Sequence, residues 1–396
     1  MSKTKLASAI GLACVCSSSF AQEEVGIDLG AFELVPTLTT TVGFNDNVTQ
    51  SRANEEEIDS WFSIVVPKFT LVNNFGLNSL RFGYQLSRGD YFSSSADDYT
   101  DHLLFAALDY ELNSRHRIKS SIDFEDGHDG RGTAFSRGAG AELSSPDEFK
   151  ESEVDFTYSY GALSAQARLD LNVNYRDLDY KIDTESYMAR DRSKSTVGGT
   201  FYYNIGSATD LLFETTLTDV EYKFLPEGTA TRDSIETSYL VGAQWQSTAS
   251  TSGYAKIGYQ NKDFDAAGRT SFSGLKWQAG IVWEPMDRTS FILDSQNEAR
   301  ETNGDGDFIR RKDISLRWRH EWLQRLRTEA GVAVGDDSYE GSGRTDDITD
   351  LNFAVIYEFR RWLTLNLGYT YSERDSNQDV IDFDQNIYRL TAKVTL

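Results

Sequence analysis

Strict alternation of apolar and polar residues is the feature that most limits what this chain can fold into. In Ala165-Gln166-Ala167-Arg168-Leu169-Asp170-Leu171-Asn172-Val173-Asn174-Tyr175, one face collects Ala, Ala, Leu, Leu, Val and Tyr. The other collects Gln, Arg, Asp, Asn and Asn. Wound as a helix, this stretch would spread its charges all round the axis; extended as a strand, it has one apolar and one polar face. The same period returns in Leu80-Phe82-Tyr84-Leu86, in Leu104 to Leu112, in Leu275 to Trp283, in Ile314-Leu316-Trp318 and in Leu363 to Tyr371. About eighteen such segments (sixteen to eighteen) of roughly ten to fourteen residues run from Ala31 to Leu396, the rhythm of a membrane barrel.

The links alternate in length. Short ones fall near Asn73–Gly76, Asn113–His116, Gly161–Ser164, Gly206–Thr209, Ser247–Ser252, Pro285–Arg288, Leu323–Leu326 and Arg360–Arg361. Long acidic ones run near Asn45–Asp59, Ser87–Asp101, Glu125–Glu151, Arg176–Arg192, Lys223–Asp233, Asn261–Arg269, Glu301–Lys312, Asp336–Asp347 and Glu373–Asp384. Brief periplasmic turns and longer outer loops are what an all-β, antiparallel outer-membrane barrel requires. A soluble sandwich also alternates, but its packed core would not accept lone Arg and Asp on the second face. Aromatic residues near strand ends (Phe44, Trp61, Phe124, Tyr175, Trp245, Trp283, Trp322 and Phe359) are placed to form two interfacial girdles. Pro67 sits inside an apparent strand, where a bulge or strand end is expected.

Upstream of the first strand, Lys3 and Lys5, the apolar run Leu6–Val15 and Ser19-Phe20-Ala21 read as a signal peptide cleaved after Ala21. Residues 22–30 then form a short periplasmic lead into a barrel over 31–396. Both cysteines, Cys14 and Cys16, fall in the leader, so no disulfide is expected in the exported chain. The expected location is the outer membrane of a Gram-negative cell. With 62 acidic against 39 basic residues, a formal net charge of −23, the chain is no nucleic-acid binder.

Chemistry-bearing motifs are few. Of four histidines, His102, His116 and His128 lie near strand–loop junctions and His320 within a strand. Asp126, His128 and Asp129 make the one acid–base grouping worth testing, yet no nucleophile accompanies them, and a hydrophilic loop is the preferred reading. Asn303-Gly304-Asp305-Gly306-Asp307 has the look of half a calcium loop but lacks the distal bidentate Glu. No catalytic residue, metal or cofactor is therefore assigned. The functional candidates are the polar faces: Arg81, Gln85, Gln166, Arg168, Asp170, Asn172, Asn174, Gln278, Arg317, Arg319 and Asn366 should line an aqueous lumen. Acidic outer loops, such as Glu55-Glu56-Glu57 and Asp346, Asp347 and Asp350, predict a cation-selective mouth.

Several short motifs recur in an order that resembles one family. They are Gly30-Ala31-Phe32-Glu33-Leu34-Val35-Pro36-Thr37-Leu38, Gly43-Phe44-Asn45-Asp46-Asn47-Val48, Val66-Pro67 and Asp90-Tyr91-Phe92. Asp97-Asp98-Tyr99-Thr100-Asp101, His128-Asp129-Gly130-Arg131-Gly132 and Ser145-Pro146-Asp147-Glu148-Phe149 follow. Together they make the chain similar to the putative beta-barrel porin 2 family over about its first 160 residues. That resemblance implies a channel taking part in export of an exopolysaccharide or capsular polysaccharide, with periplasmic export proteins as partners. A general diffusion porin for small hydrophilic solutes is the alternative, and a barrel-embedded hydrolase or a structural adhesin stands further off. Outer-membrane lipid, lipopolysaccharide and the barrel-assembly machinery are the other expected partners. The ending Tyr388-Arg389-Leu390-Thr391-Ala392-Lys393-Val394-Thr395-Leu396 resembles the signal read by that machinery, with Leu396 where Phe or Trp is usual.

Overall fold

The computed structural model describes residues 26–52, 57–206, 208–248, 250–302 and 304–395. The leader with its cysteines, Glu55, Glu56 and Leu396 lie outside them. A two-residue strand, β1 (Ile27–Asp28), pairs beside the start of β2. The barrel strands follow as β2 (Glu33–Asn45), β3 (Ser60–Phe75), β4 (Asn78–Tyr91), β5 (Tyr99–Asn113), β6 (His116–Asp129) and β7 (Asp147–Tyr160). Next come β8 (Ala167–Tyr180), β9 (Arg192–Gly206), β10 (Thr209–Tyr222), β11 (Ser234–Thr248), β12 (Thr251–Phe264) and β13 (Phe272–Met286). The last six are β14 (Thr289–Glu301), β15 (Phe308–Leu323), β16 (Leu326–Glu340), β17 (Arg344–Arg360), β18 (Leu363–Ser376) and β19 (Phe383–Thr395).

Each strand pairs antiparallel with its sequence neighbours, and β19 returns to β2, from Ile387↔Asn45 to Thr395↔Thr37. The result is a closed barrel of eighteen strands, so no sheet edge is left for lipid to meet. No helix among the described residues is long and apolar enough to cross a membrane.

The two-residue period explains the wall. Tyr158↔Leu171↔Gly199 and Phe156↔Val173↔Val197 form rows on one face. Leu171 is 46% exposed and Val173 48%, pointing away from the barrel axis. Thr157↔Asn172↔Gly198 and Thr216↔Ser238 form rows on the opposite, inward face, the last closed by a 2.6 Å hydroxyl hydrogen bond. Trp61, Phe124 and Tyr175 stand exposed near the long-loop ends, and Trp283, Trp322 and Phe359 near the short turns. Those are the two girdles expected from the sequence.

Three details differ from expectation. Pro67 makes no bulge and ends no strand. It pairs with Leu38, and toward β4 the ladder skips Val66 and Pro67, then resumes in the same register from Val65↔Arg88 to Lys68↔Gln85. A missing N–H costs one ladder step here without shifting the pleat. The long links are also shorter than their composition suggests. The eighth shrinks to three residues, 341–343, between β16 and β17. Ladders such as Asp336↔Asp347 and Asp337↔Asp346 continue past the membrane level, where both strand faces meet water and polarity no longer marks a loop. Finally, β8 starts at Ala167, one residue after Gln166, where the alternation starts at Ala165.

Candidate functional site: the barrel wall and its strapped outer mouth

Of the eleven residues expected to line the lumen, ten lie within strands, in the phase opposite the exposed apolar residues: Arg81, Gln85, Arg168, Asp170, Asn172, Asn174, Gln278, Arg317, Arg319 and Asn366. The residues alternating with them, such as Phe82, Tyr84, Leu169, Leu316 and Leu367, are the outward, exposed ones. Gln166 lies just outside a strand. It precedes β8 by one residue, is exposed, and donates to the Asn204 carbonyl at the turn end of the wall. The alternation runs through Ala165 in the sequence, while β8 starts at Ala167↔Tyr203, with the Asn204 N–H still donating to the Gln166 carbonyl at 2.9 Å.

These ten do not converge on one point; they are distributed round the wall and held by neighbours. Arg168 lies over the Tyr202 ring at 4.2 Å and 3.7 Å from Asp210. Asn174 Nδ2 donates to Glu153 Oε1 (2.9 Å) and Asp155 Oδ1 (2.8 Å). Arg319 pairs with Glu321 at 3.5 Å and Glu329 at 3.9 Å. Asp170 Oδ1, Gln278 Oε1 and Asn366 Oδ1 are buried without a hydrogen-bond partner, polar atoms that water or a passing solute would satisfy.

Charge on the wall is uneven, which the sequence pattern alone did not show. On β6 and β7 carboxylates face one another across the ladder, Asp123↔Glu153 and Glu125↔Glu151, with Asp155 beside them. Like charges opposite each other destabilise a sheet. Here Arg176, 2.5 Å from Glu151, and Asn174 offset part of that cost. Nine strands round the ring, β15 and β16 present Arg311, Arg317, Arg319 and Arg327. An acidic wall therefore faces an arginine-bearing one.

The outer mouth holds a feature the sequence reading treated as an ordinary loop. Residues 130–146, between β6 and β7, fold across the barrel as a strap containing two 3₁₀ turns, Ala134–Ser136 and Gly140–Glu142. Its stem is fixed by Arg131, which donates to Asp97 from Nε (2.9 Å) and Nη2 (2.5 Å) and to Ser94 Oγ (2.9 Å) in the β4–β5 loop. Gly132 has φ +77°, and a Cβ there would collide with the carbonyl of Thr49 in the β2–β3 loop. Glycine is the residue that permits both. Phe135 packs edge-on against Tyr187 of the β8–β9 loop, 5.1 Å between centroids. Arg137 reaches the far wall and donates to the Tyr339 hydroxyl at 3.1 Å. Burial, together with nearby Arg374, pushes the Arg137 guanidinium down to about 10. Gly138 lies against Val380 of the β18–β19 loop. The longest link, its glycines 130, 132, 138 and 140 and its single Phe135 were the available signals. The partners that make it a strap come from loops remote in sequence.

Carboxylates at the mouth are less open than the acidic loops suggested. Asp346 is buried between Arg344 and Arg374, each at 2.5 Å. Asp305 pairs with Arg344 at 3.3 Å and Asp307 with Arg269, so guanidinium groups hold the two carboxylates of the candidate calcium loop. Asp126, His128 and Asp129 are not brought together either. Asp126 pairs with Lys181 (2.5 Å), His128 Nδ1 lies 2.8 Å from Asp101 with the ring stacked on Tyr99, and Asp129 accepts from the Tyr180 hydroxyl (2.9 Å).

With the closed wall and the strap established, comparison with known proteins places the chain. The sequence model of the putative beta-barrel porin 2 family matches residues 21–396. The chain belongs to that family. As a porin-type outer-membrane barrel it is similar in fold to OpdK of Pseudomonas aeruginosa, at 12% identity and a TM-score of 0.51 over 92% of this chain and 99% of that one. OccK2 (OpdF) of the same organism gives 12% identity and a TM-score of 0.53 over 92% and 98%. The FrpB iron transporter of Neisseria meningitidis gives 13% and 0.50 over 90% of the porin and 64% of its own chain. At such identities the likeness concerns the barrel alone. No functionally curated protein matches this porin. Family and fold point to a channel.

Proposed function

We propose that this porin is a diffusion channel for small hydrophilic solutes, entered from outside past the strap. The strap carries the reading. A barrel of eighteen strands left open would hold a wide aqueous bore, but Arg131, Phe135 and Arg137 tie residues 130–146 to opposite sides of the mouth. What remains at that level suits solutes of small cross-section. Export of a polysaccharide, implied by the family resemblance, requires a path open from end to end to a continuous polymer, and the strap lies across it. The ten inward-facing polar residues are read as the hydrated lining, and the apolar belt as facing lipid and lipopolysaccharide.

Liposome-swelling rates with sugars of rising size test this. Mono- and disaccharides should enter proteoliposomes and larger oligosaccharides should not. A deletion strain that loses its secreted polysaccharide while small-solute uptake is unchanged would overturn the reading in favour of export.

Ion selectivity gives a further expected result. The carboxylates of β6 and β7 should make the channel cation-selective at about 0.1 M salt, where charge acts over roughly 10 Å. The preference should fade near 1 M, where the screening length is about 3 Å. Arg317→Gln with Arg319→Gln removes cations facing Asp294, Glu321 and Glu329 and should deepen the preference. Reversal potentials under a salt gradient decide it; an anion-selective wild type would rule the assignment out.

A further inference from the structure

Beside the strap, the mouth keeps a cavity of about 270 Å³ between Phe135 and the loops that follow β8, β10, β12 and β14. Among the described residues, three arginines line it, Arg190, Arg232 and Arg269, and no Asp or Glu does. In a chain with 62 acidic and 39 basic residues, that is a local inversion of charge. Its apolar walls are Phe135, Tyr222 and Phe224.

The arginines are not equivalent. Arg269 is spoken for: Nε and Nη2 donate to the carbonyls of Thr231 (2.7 Å) and Ala230 (2.8 Å), and Nη1 meets Asp307. It frames the cavity and, with Arg232 close by, adds positive potential. Arg190 is 5% exposed, its guanidinium lies over the Phe135 ring, and its Nη1 is buried with no hydrogen-bond partner among the described residues. Arg232 Nε is buried without a partner as well. A buried guanidinium with an unfilled donor is costly unless an anion completes it. Burial pushes Arg190 down to about 10, still cationic at neutral pH.

We propose that this cavity is a recognition site for a small carboxylate carried on a flat, apolar body. The forked donors of Arg190 match the two oxygens of a carboxylate. Phe135 and Phe224 give the lining aromatic surface for an apolar ring, and the volume falls just under the roughly 300–1,000 Å³ of sites for larger ligands, the size of a single-ring acid. The proposal rests on the solute-channel reading and narrows it. An anion repelled by the acidic wall enters by being recognised at the mouth.

The test uses the purified full chain in detergent, titrated calorimetrically with sodium benzoate, benzamide and sodium acetate. Benzoate should bind saturably, with benzamide (no charge) and acetate (no ring) each at least tenfold weaker. Arg190→Gln together with Arg232→Gln should weaken benzoate at least tenfold. Arg190→Lys, which keeps the charge but loses the fork, should fall between wild type and the Gln variant, and heat-modifiability on gels reports folding of each variant. Equal affinity for benzoate and benzamide would overturn the site. So would full benzoate affinity in the Gln variants, which would leave Arg190 serving only Asp147, whose Oδ2 also lacks a partner. A barrel that binds benzoate in this pattern but passes no current in a planar bilayer keeps the site and loses the channel reading. One that conducts yet ignores benzoate keeps the channel and loses the site.

Discussion

Replacing residues 130–146 with a two-residue Asn-Gly link should raise single-channel conductance several-fold and let large oligosaccharides into proteoliposomes that exclude them with the intact protein. The excision is clean because Asp129 and Asp147 are direct cross-strand partners. A short hairpin turn can therefore join β6 to β7 with neither strand moving. What is lost lies above the wall: the Arg131–Asp97 pair, the Phe135–Tyr187 contact and the Arg137–Tyr339 hydrogen bond. Asp97, buried while the strap covers it, then meets water and keeps its solvation by that route. The ladders carrying the barrel are untouched, so the heat-modified gel shift should survive. Unchanged conductance and an unchanged size limit would mean that the strap does not set passage.

The second large effect concerns which side of the wall a charge is put on. Leu171 and Leu367 are 46% and 61% exposed on the outward face near strand centres. Leu171→Arg or Leu367→Arg should cost roughly 2–4 kcal/mol each, since a guanidinium at that depth faces hydrocarbon. Their immediate neighbours Asn172 and Asn366 point inward. Asn172 lies over Gly198, and Asn366 Oδ1 is buried with no partner. Asn172→Arg and Asn366→Arg therefore place the charge in a wet lumen and should leave folding nearly unchanged. Urea titrations of folded barrel in vesicles compare the four variants; equal losses across them would invalidate the strand phase.

The wall was legible in the sequence because a strand's two faces differ by a single step, and membrane and water impose opposite demands on them. Residues such as Leu169, Leu171 and Val173 needed no tertiary information to be placed. Gln166 falls one residue ahead of β8 because alternation says which face a residue takes, not where a strand starts. Asp336 to Asp347 was read as loop because polarity stops discriminating once a hairpin rises out of lipid. The strap was hidden for a different reason. Arg131, Phe135 and Arg137 meet Asp97, Tyr187 and Tyr339, partners from two separate loops and the outer end of β16. Such meetings are set by closure of the ring, and no local period encodes them. The charge inversion beside the strap was equally invisible, since Arg190, Arg232 and Arg269 sit on three different loops among many acidic residues.

Closure of the ring also has a consequence in time. The hydroxyls of Thr41 and Thr391 share a 2.9 Å hydrogen bond across 350 positions of chain. Every other ladder in the wall joins sequence neighbours and can zip as soon as its hairpin exists. The seam between β2 and β19 cannot; its nine paired residues wait for the final strand. Until then β2 keeps one row of backbone donors and acceptors open, and in hydrocarbon an open row is untenable. Loop-closure entropy and high contact order make that last step slow when left to diffusion. Unassisted refolding into vesicles should therefore halt at a species with hairpins formed and the seam unzipped. Amide exchange would find it protected along β7 to β17 and unprotected at the seam-facing amides of β2 and β19. An assembly factor that holds β2 as a temporary edge partner would act on this step, speeding the arrival of the closed state without altering its stability.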